Sequence, residues 1–446
     1  MAGGSIDSRV IWAIAIPAMI TNVATALIGV ADLWIVGRLG SAPPQGAVDI
    51  GARLFALLFT VMNFLKTGTT GMVAQAGARS GPREQAATLL RGIAVALVIA
   101  FTLLALKPIL LPLLLAALGA EGAVLEAANI YAGIRYWSAP GVLVNLALIG
   151  YLVGQRRMKA VLVIEVGYNL LNVALGLFFV LRLDMGIAGI GWSSLIAEYA
   201  KLAVTAAIVL SGGGAALLRA ATRDRVLVRD KLQPFLSVNR DLFLRTVILS
   251  IALAALTRIG AERGPVILAA NAILFQFFLF SALFLDGFEN AAQVLNGEAK
   301  GAADRVRFER LTRAILLRGI AAAALVSLFF GAFAVPLIKS FAATPEVAAA
   351  AMFVSPWLVL MPFAGVASFI YDGVYVGASW TRALLLTMVG GTLVYALSLW
   401  ATWSLGNHGL WLSFTLFLAA RALFQRLALP RLTRRIDHDP TLEKQS

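Results

Sequence analysis

Apolar residues in this chain run together in helix-length blocks, at about 10–37, 48–78, 88–117, 127–154, 160–182, 187–211, 242–262, 265–298, 314–338, 347–377, 383–404 and 409–430. About 20 consecutive apolar residues carry a helix across a bilayer. The pattern therefore predicts twelve transmembrane helices and an all-α polytopic membrane protein. Several blocks are longer than a crossing needs, so tilt or extension past the hydrocarbon is expected. Pro17, Pro140 and Pro362 fall inside blocks and are expected to bend them, which membrane helices tolerate.

Composition agrees with this reading. The chain is 60% hydrophobic and 13% charged, where a soluble protein is about 25% charged. Mean hydropathy is +0.86. Charge then orients the helices. With both termini placed inside, 27 Lys and Arg fall on the inner side and 8 on the outer, leaving Lys66 and Lys201 within the membrane. This is the positive-inside pattern, and it predicts an integral membrane protein with both termini cytoplasmic. It also explains the net charge of +14 without nucleic acid as a partner. The first apolar run, Val10 to Val36, is too long for the core of a cleavable signal and is expected to remain as the first span. There is no cysteine, and the two histidines are His408 and His438. Disulfides and thiol chemistry are excluded, and a His-rich metal centre or a Ser-His-Asp triad has little material. The loops are too short for a catalytic domain, so no enzyme, no cofactor and no metal site is expected.

A polar, basic stretch at 212–241 separates six helices from six. The halves match at an offset near 220, pairing Arg38 with Arg258, Leu54 with Leu274 and Gly81 with Gly301. GIAGIGWS (186–193) recurs as GNHGLWLS (406–413), and LLRGIAVA (89–96) as LLRGIAAA (316–323). An even number of helices per half makes the repeats parallel. The expected division is an N-lobe at 1–211 (helices 1–6), a cytoplasmic linker at 212–241, a C-lobe at 242–430 (helices 7–12) and a cytoplasmic tail at 431–446. Two pseudo-symmetric lobes of six helices suit a transporter.

Buried polar residues are the candidate chemistry. Asp32 stands inside the first apolar block, where a carboxylate costs roughly 2.5–3.5 kcal/mol on insertion scales. With Asn22, Thr25 and Gly29 it forms one polar, small-residue stripe on helix 1. A carboxylate there is expected to bind an ion or a proton, the alternative being a structural hydrogen-bonding group packed between helices. Helix 5 carries a second stripe of Glu165, Asn169, Asn172 and Gly176, and helix 4 carries Asn145. Lys66 in NFLKTGTTGMVAQ (63–75) stands at the repeat position of Asp286 in FLDGFENAAQ (284–293). Opposite charges at equivalent positions suggest a pair across the lobes that closes the cytoplasmic side. Glu198 and Lys201 are expected to pair within helix 6. Asp372 is placed near the inner end of helix 10, within reach of water. Phe59, Met62, Phe277, Phe280 and Phe288 are candidates to line a cavity for lipophilic ligands.

The segments ADLWIVGRLG, NFLKTGTTGMVAQA, ANAILFQFFLFSALFLDGFENAAQ and YDGVYVGAS, with the helix-1 aspartate, resemble the multidrug and toxic compound extrusion (MATE) family, in its DinF-like branch. The resemblance spans almost the whole chain. It implies a two-lobed antiporter that exports cationic or amphipathic compounds in exchange for H⁺ or Na⁺. It also implies that Asp32 takes up the coupling ion and that Asn172 contributes, from LNVALG (171–176). The family's helix-5 aspartate is replaced here by Gly176. With one carboxylate lost, H⁺ is preferred over Na⁺, since sodium needs several oxygen ligands. Partners are then small cationic or lipophilic molecules and membrane lipids, and the protein is expected to be a monomer. A flippase for a lipid-linked or amphipathic precursor is the alternative, although such proteins usually carry more helices and a more cationic cavity.

Overall fold

The computed structural model describes residues 3–37, 42–223 and 226–436, with side chains at 3–7, 26–37, 42–46 and 49 outside the description. Among the described residues every regular element is helical. Twelve helical stretches are long and apolar enough to cross a membrane. In chain order the α-helices are α1 (Gly3–Gly37), α2 (Ala42–Met62), α3 (Phe64–Ser80), α4 (Pro82–Ala117), α5 (Gly122–Arg135), α6 (Ala139–Gly154), α7 (Met158–Leu177) and α8 (Gly186–Leu210). They continue as α9 (Gly214–Thr222), α10 (Arg229–Glu262), α11 (Pro265–Gly301), α12 (Arg305–Phe341), α13 (Pro345–Val354), α14 (Pro356–Gly377), α15 (Thr381–Ala401) and α16 (Gly406–Thr433).

Each apolar block of the sequence becomes one span, but not every span is one helix. The second is interrupted at Asn63, between α2 and α3. The fourth passes through a short 3₁₀ turn, Tyr136–Ser138, between α5 and α6. Pro140 therefore does not bend a continuous helix; it occupies the first turn of α6, where its missing N–H costs no bond. Pro356 does the same for α14, so the tenth block splits into α13 and α14. Pro17 and Pro362 stay inside continuous helices. Thr344 caps α13 by accepting a hydrogen bond from the Val347 N–H at 3.3 Å. Backbone hydrogen bonding at this helix start, together with the Thr344 side chain, holds the Glu346 carboxyl below its ordinary value.

The chain forms two compact units, one of residues 20–236 and one of 1–19 with 237–446. The division falls inside α1, two residues after Pro17. Inside each unit the helices pack in the same order. In the first, α3 packs on α4 and α6, α4 on α6, α6 on α8, and α7 on α8. In the second, α11 packs on α12 and α14, α12 on α14, α14 on α16, and α15 on α16. Left-handed turn residues recur in step: Gly81 and Ala303, Arg156 and Ser379, Gly186 and Gly406.

Small residues set the tightest contacts. A Cβ on Gly150 of α6 would lie 2.5 Å from the Lys66 carbonyl oxygen, and one on Gly154 2.8 Å from that of Thr70. In the other unit, a Cβ on Gly373 or Gly377 of α14 would lie 2.2 Å from the carbonyl oxygens of Glu289 and Gln293. GYLVG (150–154) and GVYVG (373–377) are thus two copies of one G-x-x-x-G contact, in which backbones approach because no side chain intervenes. The core of the second unit collects Leu274, Phe278, Trp411, Phe414 and Phe417 between α11 and α16.

Candidate functional site

The polar stripe on α7 reaches helix α8 in the first unit through Glu165. Glu165 meets Lys201 of α8, whose ammonium lies 2.9 Å from Oε1 and 3.0 Å from Oε2. The same ammonium sits 4.7 Å from the centre of the Tyr168 ring. Lys201 therefore does not take Glu198 as its partner, as intrahelical spacing suggests. Glu198 instead accepts from Asn145 Nδ2 of α6 at 2.7 Å. Two antiparallel helices bring position 165 level with 201, and a bidentate contact across that seam satisfies more of the ammonium than a partner one turn away.

Asn169 and Asn172 follow Glu165 on the same face of α7, about 6 and 10 Å along the axis at 1.5 Å per residue. Both are buried, at 5% and 4% exposure. Neither amide atom of Asn169 has a hydrogen-bond partner among the described residues. The Oδ1 of Asn145 is likewise without one. Ser193 and Ser194 are buried on α8. The first unit thus buries several amides and hydroxyls on α6, α7 and α8, and Asn145 and Asn169 keep amide atoms with no partner among the described residues. Buried amides ordinarily find partners, and an exception marks a place for water, an ion or a ligand.

Asp32 lies near the C-terminal end of α1, and its side chain falls outside the described residues. Asn22 and Thr25 are partly buried and exposed, respectively. The Thr25 hydroxyl donates to the Thr21 carbonyl at 2.9 Å, one turn back in its own helix. Lys66 stands on α3 in the first unit, and Asp286 on α11 in the second.

The second unit holds a charged cluster that the helix-by-helix reading missed. Asp372 of α14 receives hydrogen bonds from Arg245 of α10 and Arg421 of α16 on the same oxygen. Gln425 Nε2 donates to the other oxygen at 2.6 Å. Asp372 is 1% exposed, so the expectation that water reaches it is corrected: two guanidiniums and an amide fill its coordination. Arg245 and Arg421 are among the 27 basic residues that the charge pattern places on the inner side. Arg91 is a third such case. It is buried on α4, where its Nε donates to the Val226 carbonyl at 3.2 Å and a terminal nitrogen to Glu84 at 2.9 Å. It thereby ties the basic stretch between the repeats to the first unit. The available signal was position: each of the three falls within or beside an apolar run.

A profile of the MatE family matches residues 17–178 and 242–400. The chain is 32% identical over 425 residues to the DNA damage-inducible protein F of Escherichia coli K12, covering 94% of this chain and 91% of that protein. It is 25% identical to a probable multidrug resistance protein NorM of Rhizobium meliloti, covering 95% and 93%. A solved MATE structure in complex with MaD3S superposes with a TM-score of 0.86 over 97% of both chains, at 19% identity. Twelve spans in two like-packed units, together with a family match over both repeats, place this chain in the MatE family of multidrug-efflux transporters; it is a membrane transporter and not an enzyme.

Proposed function

We propose that the protein is a secondary antiporter that exports cationic or amphipathic compounds in exchange for H⁺, with Na⁺ the less favoured ion. The observation that supports this is the polar line on α7: Asn172 and Asn169 are buried in a membrane-spanning helix, and Asn169 carries unused hydrogen-bonding atoms. Asp32 is the coupling carboxylate in this reading. Asn172, Asn169 and Asn145 hydrate or orient what binds there. Gly176 stands where the family pattern has a second carboxylate, so a single proton is the simplest charge for the site to exchange.

The mechanism follows from competition. An ionised Asp32 holds a cation in a low-dielectric site. Protonation from the outer side removes that charge, and the cation leaves. The lobes, 1–211 and 242–430, then turn inward and the proton passes to the cytoplasm. The excess of basic residues on one side supports cytoplasmic termini in an inner membrane. Lys66 and Asp286, matched by the 220-residue offset in sequence, pair in this reading to close the cytoplasmic side, although the G-x-x-x-G contacts set Lys66 level with Glu289. The protein works as a monomer among bilayer lipids.

The test is transport of a fluorescent cation into inside-out vesicles under a pH gradient and then a Na⁺ gradient. Wild-type transport driven by pH and lost in Asp32→Asn is the expected result. Normal proton-driven transport by Asp32→Asn would refute the assignment, and transport driven only by Na⁺ would replace the ion. For the gate, Lys66→Asp with Asp286→Lys should recover activity that each single change loses.

A further inference from the structure

Helix α9 lies in the basic stretch between the repeats and has two unlike faces. Leu217, Leu218 and Ala221 pack in one cluster with Ala86, Ala87 and Leu90 of α4, and Val226 joins them. At about 100° per residue, Arg219 and Arg223 fall on the opposite face, and both are exposed. The segment is fixed at two backbone points. A terminal nitrogen of Arg83 donates to the Ala220 carbonyl at 3.4 Å, and Arg91 Nε donates to that of Val226 at 3.2 Å.

The docking face of α4 gives the depth. Ala87 and Val98 are eleven residues apart, as are Leu90 and Phe101, and eleven residues make close to three whole turns. The flank of α4 that carries α9 is therefore the flank that exposes Val98 and Phe101, at 67% and 61%. Both belong to a membrane-spanning helix, so that flank meets acyl chains. Ala87 and Leu90 stand at the edge of the apolar block that begins near 88, about 16 Å along the axis from Val98 and Phe101. Helix α9 thus sits on a lipid-facing flank at headgroup depth.

The outward chemistry is mixed. Residues 211–240 carry six Lys or Arg against two Asp, Asp224 and Asp230. Just past α9, Leu227 and Val228 are 57% and 38% exposed. Arg223, Arg229 and Lys231 bracket them in sequence and are exposed as well. Bare aliphatic side chains between cations suit an interface, where the cations meet phosphates and the aliphatics meet the acyl boundary. Bulk water or a soluble polyanion rewards only the cations.

We infer that α9 and the residues after it form a docking surface for anionic phospholipid headgroups of the inner leaflet, with Arg219 and Arg223 as the cations that meet the phosphates. A basic cluster beside a span is drawn to the negative surface of that leaflet. The choice of leaflet rests on the cytoplasmic placement proposed above; the headgroup chemistry does not.

The experiment is native mass spectrometry of the detergent-purified full chain, titrated with phosphatidylglycerol or with phosphatidylcholine. Wild type is expected to hold phosphatidylglycerol about tenfold more tightly. Arg219→Gln with Arg223→Gln is expected to lose that preference and keep phosphatidylcholine binding, whereas Arg219→Lys with Arg223→Lys keeps both. Arg310 and Arg313 are exposed on α12, and Arg310→Gln with Arg313→Gln removes the same charge there; it is expected to leave the preference in place. A preference that is absent from wild type, survives the α9 Gln pair or falls as far in the α12 pair overturns the inference. Loss in the Lys pair also overturns it, by tracing the effect to the fold of α9 rather than its charge. The leaflet is tested separately. The chain has no cysteine, so Thr222→Cys can be labelled with an impermeant maleimide. Labelling in inside-out vesicles alone is expected. Labelling in right-side-out vesicles alone overturns the leaflet assignment and the cytoplasmic placement with it, and leaves the headgroup preference to its own titration.

Discussion

Removing the Lys201 charge is the sharpest test of how the first unit holds its buried ions. At 2.9 Å and an effective dielectric of about 20, the attraction between Lys201 and Glu165 is about 6 kcal/mol. Desolvating each ion costs several kcal/mol, so the intact pair is close to neutral against an apolar replacement. Breaking the pair is different, because it strands the surviving charge. Lys201→Met and Glu165→Gln should each cost about 3–5 kcal/mol. For a unit of this size that is a fall of roughly 6–20 °C in melting temperature. The double variant should recover most of the loss. Pairing Lys201→Met with Glu198→Gln should recover much less, because Glu198 is held by Asn145 and meets Lys201 only by longer-range attraction. The measurement is thermal unfolding of the detergent-purified protein, followed by tryptophan fluorescence. Additive losses for the Glu165 double variant, or a larger rescue through Glu198 than through Glu165, would refute the interhelical pairing.

Other outcomes follow from the same structure. Asp372→Asn leaves Arg245 and Arg421 facing each other in the second unit, and the melt should fall by the equivalent of about 3–5 kcal/mol, with partial recovery on adding Arg421→Met. Gly373→Ala puts a methyl 2.2 Å from a carbonyl oxygen and should cost about 1–3 kcal/mol in the same assay. Gly133→Ala, where a Cβ meets nothing within 4 Å, should be silent. Glu346 has its carboxyl held below the ordinary 4.5, so its stabilisation is present above that pH and lost as pH falls through the lowered value. The melting difference between wild type and Glu346→Gln should therefore shrink from pH 6 towards pH 3.

The spans were legible in the sequence because a bilayer imposes a one-dimensional rule: a backbone crossing hydrocarbon must satisfy its own hydrogen bonds and present apolar side chains for about 20 residues. The repeat was legible as residue matches at an offset near 220, such as Leu54 with Leu274 and Gly186 with Gly406. The left-handed turns pair unlike residues, Gly81 with Ala303 and Arg156 with Ser379, and the shared G-x-x-x-G contact shows only in the packing. Helix breaks were partly legible. Pro140 and Pro356 are spans' internal starts rather than bends, a difference that depends on whether the preceding turn is helical. Partner choice was not legible. The spacing of Glu198 and Lys201 describes one helix, whereas Glu165 reaches Lys201 only through the relative rotation and offset of α7 and α8. Arg91, Arg245 and Arg421 count in the sequence only as inner-side basic residues, and the tertiary structure alone supplies their acceptors.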